Sequence, residues 1–345
     1  MTSKIKNECF EEKNNSNSFT IHFSKVISND LHMRYVLDNV FSVFKSINGI
    51  LYIIYPNKKK SIIFYNFTNE QIITEIKNAH KDTITNIRYF LDKINKRELF
   101  ISVSCDDNNL KLWDIRTFQC LLNLEKIYRG ISLFSAKCLN YNANNYIITT
   151  NTNKNSPIII FDFKGQKIDE IKDYNERTNV IDSFYDKKLN KTYLITGNKG
   201  YAKSYDFKER KLYHKYCDKN DCGNHFSIII NETDNIIKLI ESNFEGFIRI
   251  WNFHEGHLLT KIKVMNGLIY GICLWSEKYL FVGCVDHSIK IVDLQNKIIY
   301  KTLSRHTKEV ATIKKIIHPK YGECLLSFGI NNIILWNNYN QNNLD

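Results

Sequence analysis

Four residues with metal-binding side chains lie within one short segment of the sequence. They are His214, Cys217, Cys222 and His225. Neutral imidazole and thiolate are donors that zinc favours, so this set could hold one zinc ion. The spacing is not that of a standard zinc finger, and the segment reads as a link between strands. Incidental placement therefore competes with metal binding, and we expect no metal site here.

The sequence carries none of the short motifs that mark common enzymes. We find no glycine-rich phosphate loop, no nucleophile elbow and no zinc-protease helix motif. No acid, base and nucleophile form a convergent set in the pattern of residues. We therefore expect a protein without catalytic activity and without a cofactor.

The chain is basic. Its 345 residues carry a formal net charge of +12, and the isoelectric point is about 9.1. A positive field would attract acidic peptides, nucleic acid or anionic lipid. Alternatively, the abundant lysines only keep the protein surface solvated. The even spread of charge along the chain, without charged tails, favours this second interpretation. No RNA-recognition or zinc-finger signature accompanies the charge.

The N-terminal residues are polar and lack the apolar core of a signal peptide. No run approaches the roughly 18 to 20 apolar residues that cross a bilayer. Nine cysteines, an odd number, fit free thiols in a reducing compartment. We expect a cytoplasmic or nuclear protein without a transmembrane segment.

One short pattern recurs seven times: a few apolar residues, an aromatic or apolar residue, and then Asp or Asn. The penultimate residues of these segments are Tyr65, Trp113, Phe161, Tyr205, Trp251, Val292 and Trp336. Their spacing of 41 to 48 residues matches a repeat of roughly 40 to 45 residues with four strands per unit. Repeats extend one domain by adding units, so we predict a single domain.

The clearest unit runs from about residue 79 to residue 124 and contains a tight-turn signal at 106–109. Its predicted strands are Ile84–Phe90, Leu99–Cys105, Leu110–Asp114 and Cys120–Leu124. Other strand segments, such as Ile158-Ile159-Ile160, are apolar at successive positions, which indicates strands covered on both faces. Small sheets stacked in a ring are covered on both faces, whereas a sheet of a sandwich has one face exposed to solvent. We therefore predict an all-β fold with seven blades arranged as a propeller.

The strongest motif is residues 102–114, Ser-Val-Ser-Cys-Asp-Asp-Asn-Asn-Leu-Lys-Leu-Trp-Asp, preceded by Ala79-His80. This motif resembles the WD40-repeat family, and the resemblance covers about residues 19–338, with flexible tails expected at 1–18 and 339–345. The resemblance implies a seven-bladed β-propeller that acts as a non-enzymatic scaffold for protein–protein interactions.

The resemblance also implies a hydrogen-bonded network in each blade, formed by a His, a Ser or Thr, a turn Asp and a Trp. These roles would fall to His80, Asp107 and Trp113, with Ser102 or Ser104 as the hydroxyl. A buried indole N–H and a buried imidazole need partners, and a carboxylate can order its neighbours. We therefore expect these residues to be structural and not catalytic.

Other units depart from the motif. Asp286 keeps the turn acid, Glu245 could replace it in its own unit, and His306 keeps the His. Ile330 stands where an Asp is expected before Trp336. The number of blades is therefore predicted from strand endings and spacing, and not from complete motifs.

The N-terminal part of the chain is expected to close the ring. After Trp336-Asn337 only eight residues follow, and they are polar and too few for a fourth strand and its turn. Phe19–Phe23 is strand-like and has no partner of its own. We predict that it pairs onto the last blade as the outer strand, which ties the first and last blades together and covers an open edge.

By the geometry of the family, the turns before third strands and the links into first strands share one face. Ten cations fall on them: Lys58, Lys59, Lys60, Lys81, Arg129, Lys154, Arg177, Lys199, Arg305 and Lys308. Closely spaced cations could focus a field on an acidic tail, and the planar fork of arginine suits carboxylate or phosphate. We predict binding of acidic peptides or of a multiprotein complex at this rim, through Lys81, Arg129, Arg177, Lys199, Arg305 and Lys308.

Two alternatives for the function remain open. Trp113-Asp114-Ile115-Arg116 matches a W-D-x-R motif seen in WD-repeat substrate receptors of cullin–RING ubiquitin ligases, where the Arg meets an acidic group of an adaptor. A solvated Arg116 on a turn is the simpler interpretation of that match. The other alternative is a nucleic-acid-associated subunit of an RNA-processing complex.

Overall fold

The computed structural model describes residues 21–31, 40–58, 60–128, 132–151, 153, 157–172, 178–198, 200–218, 225–232 and 236–338, with the backbone alone at 179, 225, 226 and 338. All regular structure within these ranges is β-strand. No helix that could cross a membrane therefore occurs among these residues.

Twenty-eight strands follow one another along the chain. They are β1 (Ile21–Ser28), β2 (Ser42–Lys45), β3 (Leu51–Pro56), β4 (Ile62–Asn66), β5 (Gln71–Ile76), β6 (Ile84–Asp92), β7 (Arg97–Ser104), β8 (Asn109–Asp114), β9 (Cys120–Glu125), β10 (Leu133–Tyr141), β11 (Asn144–Asn151), β12 (Ile158–Asp162), β13 (Lys167–Ile171), β14 (Thr178–Asp186), β15 (Lys191–Asn198), β16 (Tyr201–Asp206), β17 (Lys211–Cys217), β18 (His225–Glu232), β19 (Ile237–Asn243), β20 (Phe247–Asn252), β21 (Leu258–Lys263), β22 (Ile269–Leu274), β23 (Tyr279–Cys284), β24 (Ser288–Asp293), β25 (Ile298–Ser304), β26 (Val310–His318), β27 (Gly322–Gly329) and β28 (Ile333–Asn338).

The strands form seven antiparallel sheets of four strands each. Blades 1 to 6 are built from consecutive strands, β2–β5, β6–β9, β10–β13, β14–β17, β18–β21 and β22–β25. Blade 7 has the order β1-β28-β27-β26. The first strands of neighbouring blades contact one another, so they lie nearest the axis of the ring. The prediction of a seven-bladed, all-β propeller is confirmed.

Each of the seven recurring strand endings lies in the third strand of its blade, in β4, β8, β12, β16, β20, β24 and β28. In blade 2 the four predicted strands are found as β6 to β9, with boundaries that differ by two residues or fewer. The repeat period in the sequence is therefore the period of the blades.

Seven apolar clusters fill the spaces between neighbouring blades, one at each contact around the ring. Between blades 1 and 2, Phe64 packs edge-on against Phe100 with ring centroids 5.3 Å apart. Between blades 7 and 1, Ile53 and Leu335 are completely buried. Every blade thus buries both faces, which explains the successive apolar residues, and each buried Ile or Leu contributes about 1.5–3 kcal/mol.

The ring is closed by β1, which pairs antiparallel with β28 from Ile21↔Asn338 to Ser28↔Ile333. Phe23 lies opposite Trp336, and the two rings meet edge-to-face at 6.3 Å. The predicted closure by an N-terminal strand in the last blade is confirmed. The strand is Ile21–Ser28, further along the chain than the predicted segment, of which Phe19 and Thr20 lie outside the described residues.

The ring has two faces, which we name after one residue on each. On the His80 face, the link into β6 meets the turn between β7 and β8, because the Lys81 backbone N–H donates to Asp107 Oδ2 at 3.0 Å. On the Arg116 face, the turn after β6, with Lys96, and the turn after β8, with Arg116, line one pocket. First strands therefore run from the His80 face to the Arg116 face.

Candidate functional site

A chain of buried hydrogen bonds links the second and third strands of blade 2 to the link before its first strand. Trp113 Nε1 donates to Ser102 Oγ at 2.8 Å, and Ser102 Oγ lies 2.7 Å from His80 Nε2. A serine that accepts from an indole can donate its own proton to the imidazole. That arrangement places the His80 proton on Nδ1, which lies 3.9 Å from Asp107 Oδ2. The hydroxyl in this network is that of Ser102 and not that of Ser104.

His80 is neutral in this network. Burial, and then the positive charge of Lys111, lower the pKa of His80 to about 3. A neutral imidazole can accept the Ser102 proton, whereas an imidazolium could not. Because the network holds two strands and the preceding link in register, its role in blade 2 is to rigidify the blade.

Substitution of Ser102 by alanine is expected to lower the free energy of unfolding by about 2–4 kcal/mol, because it leaves both the Trp113 indole N–H and His80 Nε2 buried without a partner. The matched control is Ser104→Ala on the same strand. Ser104 is equally buried, and its Oγ has no hydrogen-bond partner among the described residues, so its loss is expected to cost less than about 1 kcal/mol. Urea denaturation followed by tryptophan fluorescence measures both values; equal losses in the two variants would contradict the assignment.

Blade 7 repeats the network with a different fourth member. Trp336 Nε1 donates to Ser327 Oγ at 2.7 Å, and Ser327 Oγ lies 2.7 Å from His306 Nε2. His306 Nδ1 lies 2.5 Å from Asn332 Oδ1, which can accept its proton. The position expected to hold an Asp is Ile330, but the connection from Ser327 to Trp336 is two residues shorter than that from Ser102 to Trp113. The shorter connection brings Asn332 into the acceptor role.

Blade 5 replaces the serine with a carboxylate. Trp251 Nε1 donates to Glu241 Oε1 at 2.8 Å, and Glu241 Oε1 also lies 3.4 Å from Arg249 Nε. The side chains of Glu241 and Arg249 are 0% exposed. The acid that reaches the indole is thus Glu241 on β19. Burying two charges this deeply is costly, and only their close mutual attraction offsets that cost. Removing one partner therefore destabilises the fold strongly.

The neutral histidines predict how stability depends on pH. Burial also lowers the pKa of His306, to about 4. As the pH falls through about 6.5, each histidine of the unfolded chain binds a proton, whereas the same histidine in the folded chain does not. The contribution of the two histidines to the free energy of unfolding is therefore complete above that pH and is lost as the pH falls. Between pH 6.5 and pH 4.5 we expect the free energy of unfolding to fall by up to about 1.4 kcal/mol per pH unit for each histidine.

Denaturation by urea at half-unit pH steps measures this slope. The control is the double variant His80→Gln, His306→Gln, which is expected to be less stable at neutral pH and to show a flatter slope. A wild-type curve that is flat between pH 6.5 and 4.5 would show that the two imidazoles are protonated in the fold.

Five of the ten rim cations lie in the described part of the chain, and all five are on the His80 face: Lys58, Lys60, Lys81, Arg305 and Lys308. The other five, Lys59, Arg129, Lys154, Arg177 and Lys199, lie outside the described residues. The described five belong to turns and links of blades 7, 1 and 2, which are neighbours in the ring.

Carboxylates accompany these cations. Lys58 Nζ lies 3.6 Å from Asp30, and Lys60 Nζ lies 3.8 Å from Asp82. Lys81 and Lys308 are exposed on the same face. The described part of this rim therefore presents a mixed field, in which the exposed ion pairs add little to stability.

The mouth of the channel on the His80 face is apolar. Val40 and Ala311 are buried there, and Phe134, Phe244 and Ile330 pack against them. We call these five residues the mouth cluster. They come from blades 1, 3, 5 and 7, so the cluster spans the channel.

Arg116 is exposed on the opposite face. It lines a pocket of about 720 Å³ between blades 1 and 2, together with Lys96, Arg97 and Phe118. Its backbone N–H is held by Asp114 Oδ1 at 2.9 Å, which orders the turn. Arg116 and the rim cations Lys81 and Lys308 therefore cannot contact one small ligand together.

The four candidate zinc ligands lie only partly within the described residues. His214 and Cys217 both belong to β17, three residues apart, so their side chains point to opposite faces of the strand. Cys222 and the side chain of His225 lie outside the described residues. Within the described ranges, no three metal-binding side chains form a cluster.

Comparison with known proteins finds similarity to the U3 small nucleolar RNA-associated protein 21 homolog of Schizosaccharomyces pombe, with 24% identity over 119 residues. The matched segment covers 34% of this chain and 13% of that protein, so the chain spans a small part of the length of its relative. No protein-family model matches the chain.

Three features converge. The chain has seven four-stranded blades, an N-terminal strand that closes the ring, and His–Ser–Trp networks in blades 2 and 7. The chain is a seven-bladed β-propeller, and the networks of its blades 2 and 7 resemble those of the WD40-repeat family.

Proposed function

We propose that this protein is a non-enzymatic scaffold that binds a protein partner across the His80 face, over the mouth of the channel. The observation that carries the proposal is the mouth cluster, which joins apolar side chains from four blades at one place. Aromatic residues surrounded by polar and charged groups are typical of the centre of protein–protein interfaces.

The ring is suited to this task because its blades are braced by continuous apolar packing. A binding surface on a rigid ring loses little conformational entropy when a partner binds. The affinity is therefore higher than it would be for a flexible surface with the same contacts. Phe134 and Phe244 are half-buried in the mouth cluster, so a partner can cover their remaining surface.

The partner is an acidic peptide segment or an acidic surface of a multiprotein complex. Lys81, Arg305 and Lys308 lie on the same face of the ring as the mouth cluster. The sequence pattern predicts that Arg129, Arg177 and Lys199 belong to that face as well. Charged groups at the edge of an interface raise the association rate and make it sensitive to salt.

Affinity capture from the native cell, followed by mass spectrometry, tests the proposal. The variant Lys81→Glu, Lys308→Glu is expected to lose most of the partner that the wild type captures. The matched control Lys208→Glu, Lys320→Glu carries the same change of charge on exposed turns of the Arg116 face. If both double variants capture the partner as the wild type does, the His80 face is the wrong surface.

We further propose that the complex is nuclear and RNA-associated. The similar protein from Schizosaccharomyces pombe is named as a small-nucleolar-RNA-associated protein, and the net charge of +12 favours an assembly rich in nucleic acid. Capture with and without ribonuclease separates direct from RNA-bridged association. Partners that remain after ribonuclease treatment support protein contacts through the ring.

A second candidate is a substrate receptor of a cullin–RING ubiquitin ligase. The exposed Arg116 in its pocket beside Lys96 and Arg97 favours it, because three cations there could meet an acidic adaptor. The variant Arg116→Ala decides between the two: it would release ligase subunits under this candidate and leave capture unchanged under the first proposal.

A further inference from the structure

A second pocket on the Arg116 face lies where blades 2, 3 and 4 meet, and its volume is about 690 Å³. Its walls come mainly from the ends of the first strands β6, β10 and β14 and from the turns that follow them. Pockets that bind small ligands measure about 300–1,000 Å³, so this one has room for more than a single ion. We call it the blade 3 pocket.

The lining of the blade 3 pocket carries positive charge without a carboxylate. Among the described residues that line it, Lys93 of blade 2 and Lys208 of blade 4 are the charged ones, and neither Asp nor Glu is present. Both lysines are exposed, so a ligand in the pocket can reach their ammonium groups from solvent. Two cations with blade 3 between them favour an anionic ligand that is long enough to touch both.

The carboxylates near these walls do not cancel that charge within the pocket. Asp92 Oδ2 accepts from Arg97 Nε at 2.9 Å, and Asp206 Oδ2 accepts from Lys191 Nζ at 2.9 Å. Glu209 is exposed in the turn after β16, but it is not part of the lining. The two lysines of the pocket are therefore available to an anionic ligand.

Aromatic side chains form the apolar part of the blade 3 pocket. Tyr141 and Phe184 are half-buried, whereas Tyr185 is 51% exposed. The ring of Tyr141 meets Phe207 edge-to-face at 5.0 Å, and the Tyr185 hydroxyl donates to Asn190 Oδ1 at 2.8 Å. Rings that are held in this way lose little conformational entropy when a planar group stacks on them.

Exposed amides complete the lining. Asn142 and Asn190 lie in the turns after β10 and β14. An amide side chain both donates and accepts hydrogen bonds, so it can contact the edge of a base or a ribose hydroxyl. Single-stranded nucleic acid is bound by this combination, because cations meet its phosphates and aromatic rings stack on its bases. An acidic peptide would use the lysines but would offer the tyrosine rings no regular series of planar groups.

We propose that the blade 3 pocket binds a short single-stranded segment of RNA. Phosphate groups of the strand lie against Lys93 and Lys208, and a base stacks on the exposed ring of Tyr185. The choice of RNA over DNA rests on the RNA-associated complex proposed above, whereas the pocket is argued from its lining alone. The pocket and the mouth cluster lie on opposite faces of the ring, so RNA and the protein partner can bind together.

Fluorescence anisotropy of the full chain with labelled single-stranded RNA of mixed sequence tests the stacking contact. Tyr185→Leu is expected to weaken binding by at least about fivefold, because it removes the aromatic face on which a base stacks. The matched control Tyr185→Phe keeps the ring and is expected to bind like the wild type. Double-stranded RNA of the same sequence is expected to bind at least about fivefold more weakly, because its bases are already stacked on one another.

The dependence of the affinity on salt tests the phosphate contacts. Lys93→Gln and Lys208→Gln are each expected to reduce the slope of log affinity against log salt by about 0.7, because each removes one phosphate contact. The control Lys320→Gln removes a cation from an exposed turn of the Arg116 face in blade 7, and it is expected to leave the slope unchanged. All of these side chains are exposed, so the variants are expected to fold, which circular dichroism checks.

Absence of RNA binding by the wild type, equal binding of single and double strands, or equal slopes in all lysine variants would overturn the proposal, because binding would then follow from net charge. DNA of the same sequence that binds at least as tightly as RNA would overturn the choice of RNA. A polyglutamate peptide at the same concentration of charge is expected not to displace the RNA, and displacement would identify an acidic-peptide site instead.

The outcome for the blade 3 pocket is separable from that for the scaffold. RNA that is recovered with the captured complex but is not bound by the purified chain would overturn the pocket and leave the RNA-associated complex standing. Capture of the protein partner after ribonuclease treatment does not depend on the pocket, so the variants of Lys208 are expected to retain the partner there.

Discussion

Deletion of residues 1–26 is expected to lower the melting temperature by at least about 10 °C, since loss of several kcal/mol shifts a domain of this size by a few degrees per kcal/mol. The deletion removes most of β1, including Ile21 and Phe23, and leaves β28 as an open edge. Trp336 then loses its edge-to-face contact, and the apolar side of blade 7 meets water. An exposed strand edge also invites pairing with other chains, so aggregation should accompany the loss.

Two controls isolate the role of the strand. Deletion of residues 1–18 leaves β1 in place and is expected to change the melting temperature little. A synthetic peptide of residues 19–30, added to the longer deletion, is expected to restore part of the stability by pairing with β28. Equal melting temperatures for the wild type and the 1–26 deletion would mean that blade 7 holds without its outer strand.

Substitution of Arg249 by isoleucine is expected to lower the free energy of unfolding by about 3–5 kcal/mol, because it leaves Glu241 charged and buried without its ion-pair partner. Glu241→Ser is expected to cost a similar amount, because it leaves the guanidinium of Arg249 in the same position. Urea denaturation measures both losses.

Blade 7 supplies the matched control for this pair. At the positions of Glu241 and Arg249 it has Ser327 and Ile334, which pair with each other in the same register. The double variant Glu241→Ser, Arg249→Ile builds that arrangement into blade 5, and it is expected to be more stable than either single variant. Additive losses in the double variant would contradict a direct ion pair between the two side chains.

The blade number and the closure were predictable from the sequence, because both depend on local features. Strand endings such as Leu112-Trp113-Asp114 recur at the period of one blade, and strands buried on both faces are apolar at successive residues. The boundaries of β1 were less well predicted, since the pairing partner of Lys25 and Val26 is more than three hundred residues away in the sequence.

The details of the site depend on register and turn length, which the sequence pattern does not display. Asn332 takes the acceptor role because one connection is shorter, and Glu241 takes the serine position in blade 5. Equivalent positions of the first strands recur with the spacing of the blades, but they are not all of one residue type. Only the pairing of the first strands shows that Arg88, Asp182 and Lys314 lie at one level.

The positions of the rim cations were predictable from the sequence only in part. Their common face could be predicted from the repeat, and the described five lie there. Their carboxylate neighbours could not be, because Asp30 reaches Lys58 from a different strand connection. The partner surface is therefore proposed from the mouth cluster and the exposed lysines together, and not from net charge.

Cross-linking mass spectrometry of the complex captured from cells tests most directly whether the partner lies on the His80 face. The exposed or half-exposed lysines of that face include Lys58, Lys60, Lys77, Lys81, Lys126, Lys172 and Lys308, and those of the Arg116 face include Lys93, Lys96, Lys187, Lys208 and Lys320. We predict that cross-links to the partner concentrate on the first set. Cross-links confined to the second set would contradict the proposed scaffold surface.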